Sequence, residues 1–259
     1  MCLTVFAHNC HLEYQLILGA NRDEFRNRPA DPAGFWSDAP HMLAGRDRQA
    51  GGTWMGVTIG GKIAAITNYR DPRQQVVDPP SRGKLVSDYL LNENLTSEEY
   101  QAALNRDGQQ YDGFNLLYGT LDKLYYFTNR GGSSGVVTPG IHGLSNHLLD
   151  TYWAKVTVAK SRLEAIVQHD TIEPERIFAA LSDSVPFANN LLPDTGVGLE
   201  RERLLSPLFI ENEEYGTRSS TVILVSRSGQ VSFTERVFDY SAKSSSTQIF
   251  NFMIQHSSQ

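Results

Sequence analysis

Cys2 is where chemistry on this chain begins. If an aminopeptidase removes Met1, as it can before a residue as small as Cys, the chain opens on a thiol and a free α-amine together. An amine with an unperturbed pKa of about 8 can act as the base that activates its own thiol. If Met1 stays, the Cys2 nitrogen is acylated, that base is lost, and the site would bind rather than cleave. The plainer fate of a Cys near a chain start is a small, apolar core position. A second concentration of reactive groups is Asn21-Arg22-Asp23-Glu24. A guanidinium close to the thiol would lower its pKa, and a carboxylate would orient the amine or the guanidinium. The bland alternative is an ion-pair network at a strand end. Asn68, Asn146 and Arg218 are further polar candidates, although Asn68 before a turn is ordinary turn chemistry.

The elements that must position these groups are legible in part. Residues 2–8 and 14–20 read as paired strands joined by Asn9-Cys10-His11, with Cys2, Thr4, Phe6 and His8 on one face by the period of two. The charged run 21–29 follows directly, and Pro29 and Pro32 read as forbidding regular structure beyond it. Residues 51–59 and 62–68 form a hairpin about Gly60-Gly61. Ser81 opens a helix through Leu85, Val86, Tyr89 and Leu90, and Thr96-Ser97-Glu98-Glu99 opens a second with a hydroxyl cap. Residues 113–119 and 123–129 pair about Leu121-Asp122, and 134–137 add a short strand. Helices follow at 152–168 and 174–181, then a hairpin of 221–225 with 230–238, and a weakly patterned tail. Hairpins without βαβ alternation predict an α+β protein of antiparallel sheets with helices on their outer faces, a four-layer αββα sandwich being one such solution.

Composition excludes several classes. Forty per cent hydrophobic and 20% charged residues are those of an ordinary globular protein. A net charge of −6 argues against a nucleic-acid partner. Two cysteines eight apart do not make a disulfide framework, which points to a reducing compartment. No basic leader, cleavage site or apolar run of membrane-spanning length is evident, so a cytoplasmic protein without an integral membrane segment is expected. No repeat or linker divides the chain, so residues 1–259 read as a single domain.

Asn21-Arg22-Asp23-Glu24 is the tetrapeptide that names the NRDE family, also called transport and Golgi organisation 2. Met1-Cys2, Gly52-Thr53-Trp54, Thr67-Asn68-Tyr69-Arg70, Ser81-Arg82-Gly83, Gly143-Leu144-Ser145-Asn146 with Trp153 and Lys155, and Arg218-Ser219-Ser220-Thr221 resemble that family's blocks in the same order. The family in turn resembles cysteine N-terminal nucleophile hydrolases. That resemblance implies Cys2 as nucleophile, Arg22 as its cation, Asp23 or Glu24 as the acid, Asn68 and Asn146 as oxyanion donors, and Arg218 as a late contact. The product would be an acyl-enzyme released by water, with no cofactor required. The hydrolases separate their Arg and Asp by two residues, whereas Arg22 and Asp23 are adjacent, so the register of the acid stays open between Asp23 and Glu24.

The resemblance also implies a binding role, since family members are associated with haem trafficking and with acyl-CoA handling. The expected partner is a small-molecule ligand, with haem as cargo. Cys2, His8, Cys10 and His11 are then the candidate axial ligands. Metal-type spacing is absent from His41, His142, His147, His169 and His256, of which only His142 and His147 lie near one another in sequence. Trp54 and Trp153 read as packing residues.

Overall fold

The computed structural model describes residues 2–255; Met1 and His256 therefore lie outside the described residues. Strand β1 (Cys2–His8) pairs antiparallel with β2 (Tyr14–Phe25), and β2 with a later strand, β11 (Tyr215–Ser226). With β10 (Gly140–Leu144), β12 (Gln230–Asp239) and β13 (Ser244–Met253) they make a six-stranded sheet in the order β10-β1-β2-β11-β12-β13. The second sheet runs β3 (Ala30–Trp36), β4 (Ala39–Asp47), β5 (Met55–Thr58), β6 (Lys62–Asn68), β7 (Phe114–Thr120), β8 (Leu124–Thr128) and β9 (Gly135–Val136), each strand beside the next in the chain.

The alternation of side chains sets the layers. On β1 and β2, Phe6, Leu16, Leu18 and Ala20 point into a core shared with Leu43, Val57, Ile63, Ala65 and Leu117 of the other sheet. Leu3, Val5, Ala7 and Ile17 point the opposite way, onto α3 (Ala154–Ile166) and α4 (Pro174–Leu181). The outer face of the second sheet packs Ala64, Ile66 and Tyr118 against α1 (Gly83–Leu91) and α2 (Ser97–Asp107). Thr96 and Glu99 close a reciprocal capping box at the start of α2, as its sequence predicts. The result is the expected α/β/β/α layering, each fully buried large apolar side chain contributing about 1.5–3 kcal/mol.

Several strands depart from the sequence expectation. The first part of the charged run does not follow β2 but lies within it, Asn21 to Glu24 being ladder residues facing β1 and β11, while Arg26 to Arg28 come after the strand. Pro29 and Pro32 do not end regular structure, because β3 carries Pro32 in a register shift between Asp31 and Gly34. Proline is tolerated there since β3 is an edge strand. The neighbouring Ala33 amide finds its acceptor in the other sheet, donating to Glu235 Oε2 at 2.6 Å. Strands β4, β10 and β13 and the short helix α5 (Leu199–Leu204) were not expected from pattern, and the weakly patterned tail is the outer strand β13. The hairpin strand expected from residue 51 starts only at Met55, because Gly52 lies against α1: a Cβ there would fall 2.6 Å from the Gly83 carbonyl carbon. No helix among the described residues is long and apolar enough to cross a membrane.

Candidate functional site at Cys2

Cys2 stands directly opposite Arg22 in the β1–β2 ladder, so their side chains share the face between the sheets. The register does this: one residue of slip would turn Arg22 into the helix layer. Arg22 is buried, its guanidinium lies 4.0 Å over the Trp54 ring, and its nearest carboxylate, Asp47, is also at 4.0 Å. Asp47 is drawn instead to Arg28 at 2.7 Å. Cys2 is half-buried, and burial pushes its thiol up; Asp23 adds to the rise, while Arg22 and the Asp23 backbone amide oppose it. The thiol is therefore mostly protonated near neutral pH, in contrast to the lowering that Arg22 alone would give.

Adjacent residues of a strand face opposite ways, and this resolves how Arg22 and Asp23 can sit side by side. Asp23 points to the helix layer, where Thr217 Oγ1 donates to its Oδ1 at 2.7 Å. Burial raises the Asp23 carboxyl, and Lys155 of α3 draws it back down. Lys155 is itself buried, donates to the Leu205 carbonyl at 3.0 Å, and is pushed by burial down to about 8 against the pull of Asp23. Glu24 shares the Arg22 face at the strand's solvent end, 3.9 Å from Arg28. Asn21 is structural: its amide donates to the Leu181 and Leu208 carbonyls and accepts from Ser220.

A cleft of about 350 Å³ opens beside the thiol, lined by Cys2, Arg22, Asp23, Glu24, Arg28, Asp47, Trp54, Asn68 and Arg82 among others. A second cavity of about 590 Å³ adjoins it, sharing Glu24, Arg28, Asn68, Arg82 and Asp112 and continuing over Tyr69, Leu204, Leu205 and Tyr215. Asn68, the last residue of β6, is on the wall of both. Asn146 is buried behind it: its Nδ2 donates to the Asn68 carbonyl at 3.0 Å and its Oδ1 accepts from Arg70 at 3.0 Å. Ser145 completes the corner, its hydroxyl 3.3 Å from the Cys2 carbonyl.

Cys2, Arg22 and Asn68 thus line one cleft together with Asp23, whose carboxylate is turned to the helix layer, and Asn146 lies one hydrogen bond behind. Arg218 does not line it. A bulge at Arg218 in β11 throws that side chain toward the chain after β2, where it donates to the carbonyls of Phe25, Arg26 and Arg28 at 2.7, 2.8 and 3.1 Å. Its placement is that of a clamp on the segment carrying Arg28. Trp54, expected as packing, packs and also forms the stacking surface for Arg22. Arg70, Lys155 and Glu202 carry buried charge around the site and were not singled out for it. Arg70 and Lys155 stood in recognisable blocks, whereas Glu202, in a helix of six residues, gave no signal.

The four candidate haem ligands do not converge. His11 has both ring nitrogens engaged, Nε2 with the His169 carbonyl at 3.0 Å and Nδ1 with the Glu13 and Tyr14 amides. Cys10 lines a separate cavity with His11. His8 shares the strand face of Cys2 but lies six residues along it, roughly 20 Å away. Only Cys2 is in the cleft, so these residues fit a haem held through at most one of the four. His142 and His147 are likewise apart in role, the first bonded to Asp150 and the second to Thr151. Among the described residues no group of three or more His, Cys, Asp or Glu side chains is placed to hold a metal ion.

Two stacked antiparallel sheets between helix layers, with the first strand's opening residue at a polar cleft, define the N-terminal nucleophile hydrolase fold. A Caenorhabditis elegans N-acylethanolamine-hydrolyzing acid amidase ortholog superposes with a TM-score of 0.51 over 86% of this chain and 92% of its own, at 14% identity, a likeness of fold alone. The family model for transport and Golgi organisation 2 matches residues 1–240. The Mus musculus transport and Golgi organization 2 homolog is 36% identical over 93% of this chain and 94% of its own, and the Bos taurus homolog 38% over 86% of each. The chain belongs to the transport and Golgi organisation 2 family.

Proposed function

We propose that the chain binds a small anionic ligand, haem or an acyl-containing metabolite, in the cleft at Cys2 and passes it on intact. One observation carries this reading. The Arg22 guanidinium is buried on Trp54 with no side-chain hydrogen bond among the described residues and its nearest carboxylate 4.0 Å away. Fixed, flat and unsaturated, it is built to pair with a carboxylate or phosphate, which guanidinium groups bind in two-point fashion. Arg28, answered by Asp47 at 2.7 Å, leaves Arg22 as the cation open to a ligand, and the adjoining cavity offers apolar surface from Tyr69, Leu204 and Tyr215 for the remainder of the ligand. A reducing cytoplasm, which would keep Cys2 and Cys10 as the free thiols they are, suits this role.

The test is a titration of the full chain with haemin and, separately, with palmitoyl-CoA, following alkylation of Cys2 by iodoacetamide. Saturation at one equivalent with Cys2 protected and no product released is the expected result. Absence of saturation by either ligand sinks the reading. A second reading, hydrolysis of an amide or thioester, is favoured by the position of Cys2 beside Asn68 and Asn146. In it the sulfur attacks the acyl carbonyl, the freed α-amine takes the thiol proton and delivers it to the departing nitrogen or sulfur, and water then cleaves the acyl-sulfur bond. It requires an intact mass without methionine in protein from the native host, and a transient acyl adduct on Cys2.

A further inference from the structure

Behind the cleft runs a line of buried polar groups that no reading of the sequence assembled. Glu202 of α5 accepts from Arg70 at 2.6 Å through Oε2 and from the Thr195 amide and hydroxyl through Oε1. Arg70 donates its other terminal nitrogen to Asn146 Oδ1 at 3.0 Å, and the Asn146 backbone carbonyl accepts from the Arg70 amide at 2.7 Å. Asn146 Nδ2 then donates to the Asn68 carbonyl on the cleft wall. Arg70, Asn146 and Glu202 are each less than a tenth exposed, and Trp153 lies 5.3 Å under the guanidinium.

An Asn side chain has a donor end and an acceptor end of nearly the same shape, and its neighbours decide which faces which way. A guanidinium has donors only. We propose that Arg70 is a positioning residue for the Cys2 cleft, holding the Asn146 amide with its oxygen inward and its N–H groups toward Asn68, and tying that wall to α5. The inference rests on the cleft being the ligand site. Leu204 of α5 and Leu205 beside it line the adjoining cavity, so the same guanidinium sets both the polar wall and the apolar one. Lysine cannot substitute, because a single ammonium does not reach two acceptors in the fixed, splayed geometry of a planar fork.

The experiment compares wild type, Arg70→Lys, Glu202→Gln, Asn146→Ala and the double variant Arg70→Lys with Asn146→Ala. Two measurements are made, palmitoyl-CoA affinity and the side-chain amide signals of Asn146 in a ¹⁵N–¹H spectrum. Arg70→Lys is expected to weaken palmitoyl-CoA about tenfold and to shift and deprotect the Asn146 amide pair. In the Asn146→Ala background the same change should alter affinity only about threefold, since the part of its effect that runs through Asn146 is then gone and the tie to Glu202 of α5 alone remains. Glu202→Gln keeps the shape of the bond and serves if Arg70→Lys does not fold; it should move the same signals in the same direction by less. Unchanged Asn146 signals, or affinity losses that simply add in the double variant, overturn the proposal. Failure of wild type to bind palmitoyl-CoA would count against the cleft reading, and the spectrum alone would then decide the role of Arg70.

Discussion

The two ends of β1 make an instructive pair. At one end Cys2 faces a cleft of about 350 Å³, and at the other Cys10 faces a cavity of about 660 Å³. The larger cavity is the poorer site. Its polar groups are spent or solvated: His11 is saturated by backbone, Lys160 is paired with Asp150 at 2.5 Å, and His169 and Asp170 are exposed. The smaller one holds a buried cation that is incompletely answered, Arg22. Volume measures where a ligand would fit, whereas an unsaturated buried charge measures where a ligand would be gained, because the cost of desolvating that charge has already been met by the fold.

The two ends differ most in their cations, Arg22 and Lys160. Arg22→Met should weaken haemin or palmitoyl-CoA binding by about a hundredfold, close to 3 kcal/mol, the worth of a charged hydrogen bond in a buried setting. Lys160→Met at the other end should change it less than twofold. Equal losses, measured by isothermal titration, would mean that the ligand does not distinguish the ends.

Next in size is the buried ammonium behind Cys2. Lys155 titrates at about 8 in the folded chain, against an ordinary value of about 10.4 when unfolded. Burial disfavours its charged form, so between these values the unfolded chain holds more protons and stability must rise with pH. Below pH 8 the handicap is constant. Urea unfolding at pH 7.5 and 10 should show wild type gaining roughly 2 kcal/mol relative to Lys155→Met across that window. Parallel pH profiles for the two proteins would place Lys155 in solvent.

The smallest effect belongs to the Cys10 end. Burial alone would raise the Asp150 carboxyl, but His142 and Lys160 hold it down to about 2. Its contribution is present above the unfolded value of about 3.9 and is lost as pH falls toward 2. The trio is partly solvated, so Asp150→Asn should cost less than about 1 kcal/mol at pH 7 and leave Cys2 alkylation unchanged. A change in Cys2 reactivity would show the ends to be coupled along β1.

Local pattern made much of the fold legible. Period-two alternation marked β1, apolar runs between turn signals marked the first half of β2 and β7, Gly60-Gly61 marked a hairpin, and Thr96 with Glu99 marked a cap. What escaped were strands whose pairing is decided elsewhere. Strand β13 is an outer strand, exposed over its first four residues and only half-buried at alternate positions after them, and β3 contains a proline that a bulge and Glu235 of the opposite sheet make acceptable. The site was legible as a set of residues and less so as roles. Cys2, Arg22, Asp23 and Asn68 line one cleft, whereas Arg218 clamps backbone, and Arg70 and Glu202 pair across 132 residues.

The sequence by itself determined the alternation of β1 and marked β2 as far as Ala20, leaving Asn21-Arg22-Asp23-Glu24 beyond the strand. Pairing with β1 and β11 is what carries β2 on through them, so that Arg22 and Asp23 serve opposite faces of one sheet. The sequence also determined the chemical inventory: one thiol at the chain's start and a block of charge a hairpin later. Only the tertiary structure decided which charges are answered. Register placed Arg22 opposite Cys2, stacking on Trp54 fixed its plane, and the Arg28 pairing drew Asp47 aside. Those are contacts between segments far apart in the chain, whose strength depends on burial, and burial is a property no local stretch of sequence carries.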